Sequence, residues 1–264
     1  MPAAESELRT PCEFPPEQHE QVTFTRQQIE CFNAHLASFE VTGCVPPVLR
    51  RRFFADLRLG GRFVAVGGET FHSRRKEARQ FMRIDGQPVA EVALSAALLS
   101  VFLSVAGRPI PFDPYQAGAL AQQPREAAKA FLNQSLNSGR PMRQWARDTD
   151  DAVRRVALRD ARSAALSAYP MLGEPIALLP DDIRQLAPIG REGWVLGQWL
   201  TGFESTVMAG TLEALMTQGV AALPLHDAVL VPQCHIDAAA RALISSFESL
   251  LGETPRIKVK GMPQ

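Results

Sequence analysis

Ile84-Asp-Gly-Gln-Pro-Val-Ala-Glu-Val-Ala-Leu-Ser-Ala-Ala97 is the stretch that decides the fold. Asp85-Gly86 is a strong two-residue hairpin signal, because both residue types tolerate the positive φ that a tight turn demands. Arg83-Ile84 and Val89 to Leu94 therefore read as paired strands, and Ser95 to Val105 as a buried helix closed by Gly107-Arg-Pro. The residue at the strand-to-helix junction is Ala93. Glu91 stands two positions earlier on the same strand face, about 7 Å away along the chain.

A second hairpin lies far downstream. In Leu223-Pro-Leu-His-Asp-Ala-Val-Leu-Val-Pro232, apolar runs flank a tip formed by His226 and Asp227, so Ala222 to Val231 reads as two short strands. If those strands pair with Val89 to Leu94, Asp227 comes beside position 93. An acid in an exposed turn is the plainer reading of the same residues. Between the hairpins, Arg125 to Ser138 is helical. Arg125, Lys129, Asn133 and Asn137 recur every four residues along one face, and Ala128, Phe131, Leu132 and Leu136 fall on the other. Two cations one turn apart suit a triphosphate, although a solvated face would look alike.

The remaining chain is read more coarsely. Residues 1 to about 22 are polar and Pro-rich, the composition of a poorly ordered tail. Thr25 to Glu40 has helical spacing with Thr25 as N-cap. After Pro46-Pro47, a basic amphipathic helix is expected from Pro47 to Leu59, stopped by Gly60-Gly61, and then a strand from Arg62 to Val66. Asp113-Pro-Tyr is a turn, Pro141 to Ala168 an Arg/Asp-rich helix, and Pro180-Asp-Asp a helix start. Trp194 to Gln218 and Ile236 to Leu251 are helices, and Arg256 to Lys260 is a last strand. Trp145, Trp194 and Trp199 read as core or groove wall. The mixture predicts an α+β fold, a small antiparallel sheet with helices packed on one side.

Bulk composition adds direction. Lys plus Arg and Asp plus Glu both number 28, so the net charge is zero. Yet ten of the basic residues lie between Arg50 and Arg83, facing only Asp56, Glu69 and Glu77. Only four of the basic residues are lysines (Lys76, Lys129, Lys258 and Lys260), and arginine is the better fork for phosphate oxygens. The four cysteines, Cys12, Cys31, Cys44 and Cys234, form no CxxC pair, so free thiols are the simpler expectation. No apolar run reaches the ~20 residues of a membrane helix. The first residues lack a basic segment leading into an apolar core, so a cytoplasmic location is expected.

Phosphoryl transfer to a growing strand needs divalent cations between carboxylates, a cation on the incoming phosphates and a shaped groove. Taken in order, the three segments resemble motifs A, B and C of family A (DNA polymerase I-like) polymerases. The likeness is nearer to compact polymerase-like proteins of mobile elements. It rests on Gly60-Gly61-Arg62-Phe63, Arg79 or Arg83, Ile84-Asp85-Gly86, Pro88-Val89, Glu91-Val92-Ala93, Leu94-Ser95, Asp113-Pro114-Tyr115, the Arg125/Lys129/Asn133 helix, Trp199 to Thr206, and Ala222 to Val231.

This resemblance implies a polymerase-like palm with reduced helical fingers. Residues 1–47 would be an N-terminal tail and helix, and 48–264 the palm with a fingers insertion at about 116–190. It implies a template-directed DNA polymerase core that binds primer-template or single-stranded nucleic acid and a dNTP, uses two Mg²⁺ (or Mn²⁺) ions, and has no membrane partner. By position, Asp227 would bind metal, as would the backbone carbonyl of Leu94. His226 would support the primer end or orient Asp227. Arg125, Lys129, Asn133 and Glu204 would contact the nucleotide, with Ser205 lining the site. Arg50, Arg51, Arg52, Arg62 and Arg79 would hold strand phosphates.

The motif A aspartate, however, falls at Ala93. An introduced substitution, a naturally degenerate site and a shifted register in which another acid serves all account for it. The expectation is thus a polymerase core impaired as written; a non-catalytic nucleic-acid-binding protein that keeps the palm is the alternative, and a protein with no nucleic-acid contact a third. A His-Asp phosphohydrolase would need further histidines, and His19, His35, His72 and His235 lack helix-consistent spacing to His226. There is no GxSxG, HExxH or P-loop pattern.

Overall fold

The computed structural model describes residues 14–260. Cys12 and most of the Pro-rich tail lie outside the described residues. The helices are α1 (His19–Leu36), α2 (Lys76–Arg79), α3 (Ala97–Val105), α4 (Arg125–Ser138), α5 (Asp151–Arg154), α6 (Leu158–Ala168), α7 (Asp181–Gln185), α8 (Glu192–Thr217) and α9 (Ile236–Leu251). The strands are β1 (Val41–Thr42), β2 (Val48–Phe54), β3 (Asp56–Val66), β4 (Arg83–Ile84), β5 (Gln87–Leu94), β6 (Leu223–Leu225), β7 (Ala228–Pro232) and β8 (Ile257–Lys260). The fold is α+β, with a small antiparallel sheet and packed helices. The described residues divide into two compact units: 14–94, 202–250 and 257–260, and 95–201 with 251–256.

The first unit holds all the strands. Its sheet runs β1-β4-β5-β7-β6, with β8 also paired to β5. β5 is central: Ala90, Val92 and Leu94 are buried, and β7 is buried along its whole length. That explains why Ala228–Pro232 is continuously apolar, since both faces of the strand are covered. Asp85 (φ 48°) and Gly86 (φ 73°) make the expected turn between β4 and β5. Asp85 also exchanges bonds with Glu40, its amide donating to the Glu40 carbonyl and its carboxylate accepting the Glu40 N–H.

Residues 47–59 are not helical. They form β2 and the start of β3, a long hairpin. Leu49 is buried while Arg50 and Arg52 are exposed, an alternation of period two. Val48, Phe53 and Phe54 favour strands, and the arginines imitated a helical stripe only by their number. The register shifts at Arg52/Phe53 and Phe53/Phe54. Opposite them Gly61 has φ +75°, and a Cβ there would stand 2.6 Å from the Phe53 ring and 2.8 Å from Ser205 Oγ. α1 clamps this hairpin through Asn33, whose side chain both donates to the Leu49 carbonyl and accepts the Leu49 N–H. α1 starts at His19, six residues before the expected cap at Thr25. Lower down, α8 approaches β3 so closely that a Cβ on Gly202 would lie 2.1 Å from the Arg58 carbonyl oxygen.

The second unit is helical. α3 follows Ala96, which is held in the left-handed region (φ 52°, ψ 40°), a conformation that strains a residue with a Cβ. α4 has the bounds expected and buries Ala127, Ala128, Phe131, Leu132, Ser135 and Leu136. The expected helix over 141–168 is broken into α5 and α6. Asp150 explains the break: its carboxylate accepts the Ala152 N–H at 2.7 Å, and Asp and Thr serve caps better than helix interiors. Tyr169, at the end of α6, donates its hydroxyl to the Pro114 carbonyl at 2.7 Å.

Candidate functional site

In the sheet-bearing unit, the antiparallel register of β5 and β7 pairs Ala93 with Ala228. The Leu94 amide donates to the Asp227 carbonyl at 2.9 Å. The strand end and the second hairpin tip, some 130 residues apart in sequence, are therefore neighbours. His226 takes φ 56° in the two-residue turn between Leu225 and Ala228. Burial raises the pKa of the Asp227 carboxyl; Lys260 and His226 pull it down and Glu91 pushes it up.

Glu91 is held on both sides. β8 pairs with β5 so that Lys260 lies opposite Glu91, and the Lys260 ammonium bonds one carboxylate oxygen. Arg79 Nη2 stands 3.7 Å from the other. With this register Glu91 remains two residues from Ala93, and its charge is already matched.

A part-buried ion pair lies within electrostatic reach of Asp227. Arg62, from β3, is half exposed and meets Glu204, from α8, at 3.1 Å. Glu204 is only 3% exposed. Burial raises its pKa, Arg62 opposes the rise, and Asp227 adds to it. Glu204 thus answers to Arg62 and to Asp227, and the Arg62 charge also reaches His226. Ser205, one residue on, donates its hydroxyl to the Gly60 carbonyl at 2.6 Å, which fixes α8 against β3.

His72 joins this cluster, although its place in sequence gives no sign of it. Its ring centre is 5.7 Å from that of His226. Its Nδ1 accepts the Ala65 N–H at 3.2 Å, so the ring proton of the neutral form sits on Nε2. Nε2 is buried without a partner. Burial, His226 and Arg79 lower its pKa to about 4. The pKa of His226 also falls, by loss of solvation and the Arg62 charge, with Asp227 acting the other way. The turn at Gly67-Gly68 is what carries residue 72 back onto Ala65.

The arginines of the hairpin separate by face. Arg50 and Arg52 are exposed. Arg51 turns inward, its guanidinium 4.7 Å from the Phe53 ring centre and 5.2 Å from that of Phe63, and it donates to the Gly61 carbonyl at 2.8 Å. Burial lowers its pKa to about 10. In this position it holds aromatic rings together, and strand alternation is the reason it departs from its neighbours.

Arg125, Lys129 and Asn133 belong to the helical unit, where they form their own cluster. Arg125 donates to Asp113 at 2.6 Å and lies over the Tyr115 ring. Lys129 is 3.5 Å from Glu126. The Tyr115 hydroxyl donates to Asn133 at 3.3 Å. Asp113 also accepts the Tyr115 N–H, so the Asp-Pro-Tyr turn serves as the platform on which Arg125 rests.

The donor set at the strand end does not fit a pair of divalent cations. Such a centre needs several hard carboxylate oxygens. Among the described residues no group of three or more His, Cys, Asp or Glu side chains converges to hold a metal ion. Ala93 contributes no oxygen from its side chain, and Glu91 is engaged by two cations. Among the described cysteines, Cys31, Cys44 and Cys234 are free thiols. No helix of the described residues is long and apolar enough to cross a membrane.

No protein-family model matches the chain, and no curated protein matches it either. Among solved structures it is similar to the POL domain of Pol1 from M. smegmatis, determined in complex with DNA primer-template and dNTP. The identity is 10%, the TM-score 0.46, and the match covers 91% of this chain and 51% of the other. The chain thus spans about half the length of that polymerase domain.

Proposed function

We propose that this chain is a polymerase-like protein of palm type that binds primer-template nucleic acid, and that as written it lacks the carboxylates for two-metal nucleotidyl transfer. The observation that supports this is the pairing of Ala93 with Ala228, beside the hairpin acid Asp227. Two carboxylates on adjoining strand ends are what such chemistry requires, and here one of the two positions is alanine.

In this reading Asp227 is the remaining acid, with His226 beside it at the primer end and Glu204 against Arg62. Arg125, Lys129 and Asn133 form the nucleotide-facing set of the helical unit. The exposed Arg50 and Arg52, with Arg62 and Arg79, supply phosphate contacts, which fix register and orientation without reading sequence. Mg²⁺ or Mn²⁺ at the strand ends would need a second acid, supplied by substitution at position 93.

The test has two parts. Fluorescence anisotropy with a labelled DNA primer-template should give an affinity that falls linearly with salt on logarithmic axes, with a slope of roughly −0.9 per phosphate neutralised. Primer extension should be absent in this chain and present, with Mg²⁺ or Mn²⁺ and dNTPs, in Ala93→Asp. Absence of salt-dependent binding overturns the nucleic-acid reading. Binding without extension in either form leaves a palm-type binding protein and removes the enzymatic one.

A further inference from the structure

A cleft of about 250 Å³ opens on the sheet two residues before Ala93. Its floor is Val89 and Glu91 of β5 with the cross-strand neighbours of Glu91, Leu230 of β7 and Lys260 of β8. Its wall is α2 and the residue after it: Lys76, Glu77, Arg79 and Gln80. Three cations and two acids line it, and their partners differ. Glu91 is neutralised by Lys260 and Arg79. Lys76 is exposed and has no hydrogen bond or ion pair among the described residues.

Arg79 is the telling residue. Its side chain is 17% exposed. Nη1 donates to the Arg74 carbonyl at 2.8 Å and Nη2 faces Glu91, so the guanidinium is held in place. Its Nε is buried with no acceptor. A buried N–H without a partner is uncommon and costs the desolvation of that group. The buried Nε does not reach the cleft, but each terminal nitrogen carries a second N–H beyond these contacts, and a guanidinium so fixed and partly exposed, next to an exposed ammonium, matches the oxygens of a phosphoryl group.

We infer that this cleft is a phosphate site, in which Arg79 and Lys76 bind the anion and Glu91 bridges Arg79 and Lys260 at its floor. Its volume falls just below the ~300–1,000 Å³ of ordinary small-molecule sites. It therefore takes a single phosphate with the start of its ester, and excludes a whole base pair. The phosphate can come from a nucleic-acid strand lying on the sheet or from a free anion. The strand source rests on the function proposed above; the free-anion source does not.

The experiment uses the full chain, with inorganic phosphate titrated by calorimetry and labelled primer-template by anisotropy. Two variants are compared. Lys76→Ala removes an exposed, unpartnered side chain, so its melting temperature should stay unchanged. Arg79→Lys keeps the charge and loses the fork. Each should weaken phosphate binding about tenfold, the loss of one charge-assisted hydrogen bond, whereas Arg140→Ala should not. If both variants also weaken primer-template and phosphate competes with it, the strand is the source. If only phosphate binding responds, the site takes a free anion, and the site stands even when no nucleic acid binds at all. Absence of saturable phosphate binding, or binding indifferent to both substitutions, overturns the inference.

Discussion

Leu94 gives its backbone N–H to the carbonyl oxygen of Asp227 across 2.9 Å. That bond joins two segments that only tertiary pairing could bring together, and it fixes how near a side chain at position 93 stands to the hairpin acid. Because Ala93 is 2% exposed, an aspartate there would be buried with a second carboxylate close by. Ala93→Asp is expected to lose about 2–4 kcal/mol of stability without divalent ions. Millimolar Mn²⁺ should restore part of it through linkage and leave the parent chain's melting temperature unmoved. Thermal melts of both proteins with and without Mn²⁺ check this; equal responses would refute it.

Arg62 and Glu204 give the second prediction. Arg62→Ala leaves a buried carboxylate within reach of Asp227, and a loss of about 2 kcal/mol at neutral pH follows, below the ~3–5 kcal/mol of a fully buried pair because Arg62 is half exposed. Glu204→Gln should cost less than about 1 kcal/mol, since the amide still accepts from Arg62. The sign with pH is set by the raised pKa of Glu204. The folded state holds the proton more tightly than the unfolded chain, so the penalty in Arg62→Ala grows as pH rises through the folded pKa. It vanishes on acidification toward the ordinary value of 4.5. Urea titrations at a series of pH values measure it.

His72 works in the opposite sense. Its pKa falls from 6.5 to about 4 in the folded protein, so below 6.5 the unfolded chain binds more protons. Stability should be fully present above pH 6.5 and fall as pH drops toward 4, by at most about 3 kcal/mol. His226 and Arg79 face the ring and both favour its neutral form. His72→Asn keeps an acceptor for the Ala65 N–H and should flatten that part of the stability curve. An unchanged slope would show that another group carries it.

The contact of α8 with β3 predicts a sharp contrast between two glycines. Gly202→Ala drives a methyl to 2.1 Å from the Arg58 carbonyl oxygen, a backbone atom that cannot turn away, and should cost at least about 3 kcal/mol. Gly210→Ala meets the Ser246 hydroxyl at 3.1 Å, which can rotate, and gains helix propensity of about 1 kcal/mol. Its stability should stay within about 1 kcal/mol of the parent. Midpoints of chemical denaturation separate the two.

The parts legible in the sequence were those with local grammar. Asp85-Gly86 announced its hairpin through turn chemistry, and α4 and α9 announced theirs through a clean period of apolar residues. The neighbourhood of residues 93 and 227 was legible because both flanking runs read as strands. The β2–β3 hairpin was misread because Arg50, Arg51 and Arg52 in succession hide an alternating pattern, and only burial distinguishes the inward Arg51. The helix over 141–168 was overextended because Asp150 was counted as a helical residue rather than as a cap. His72, Lys76 and Lys260 carried no signal at all. Their roles depend on strand register and on the bend that returns residue 72 to Ala65, which spacing alone does not encode.

Ala93 is paired on both sides, to Ala228 on β7 and to Lys258 on β8. Its main chain is therefore locked whatever the side chain. Alanine and aspartate codons can differ by a single middle base. A single point mutation could thus remove or restore an acid at this spot, with no loop to remodel.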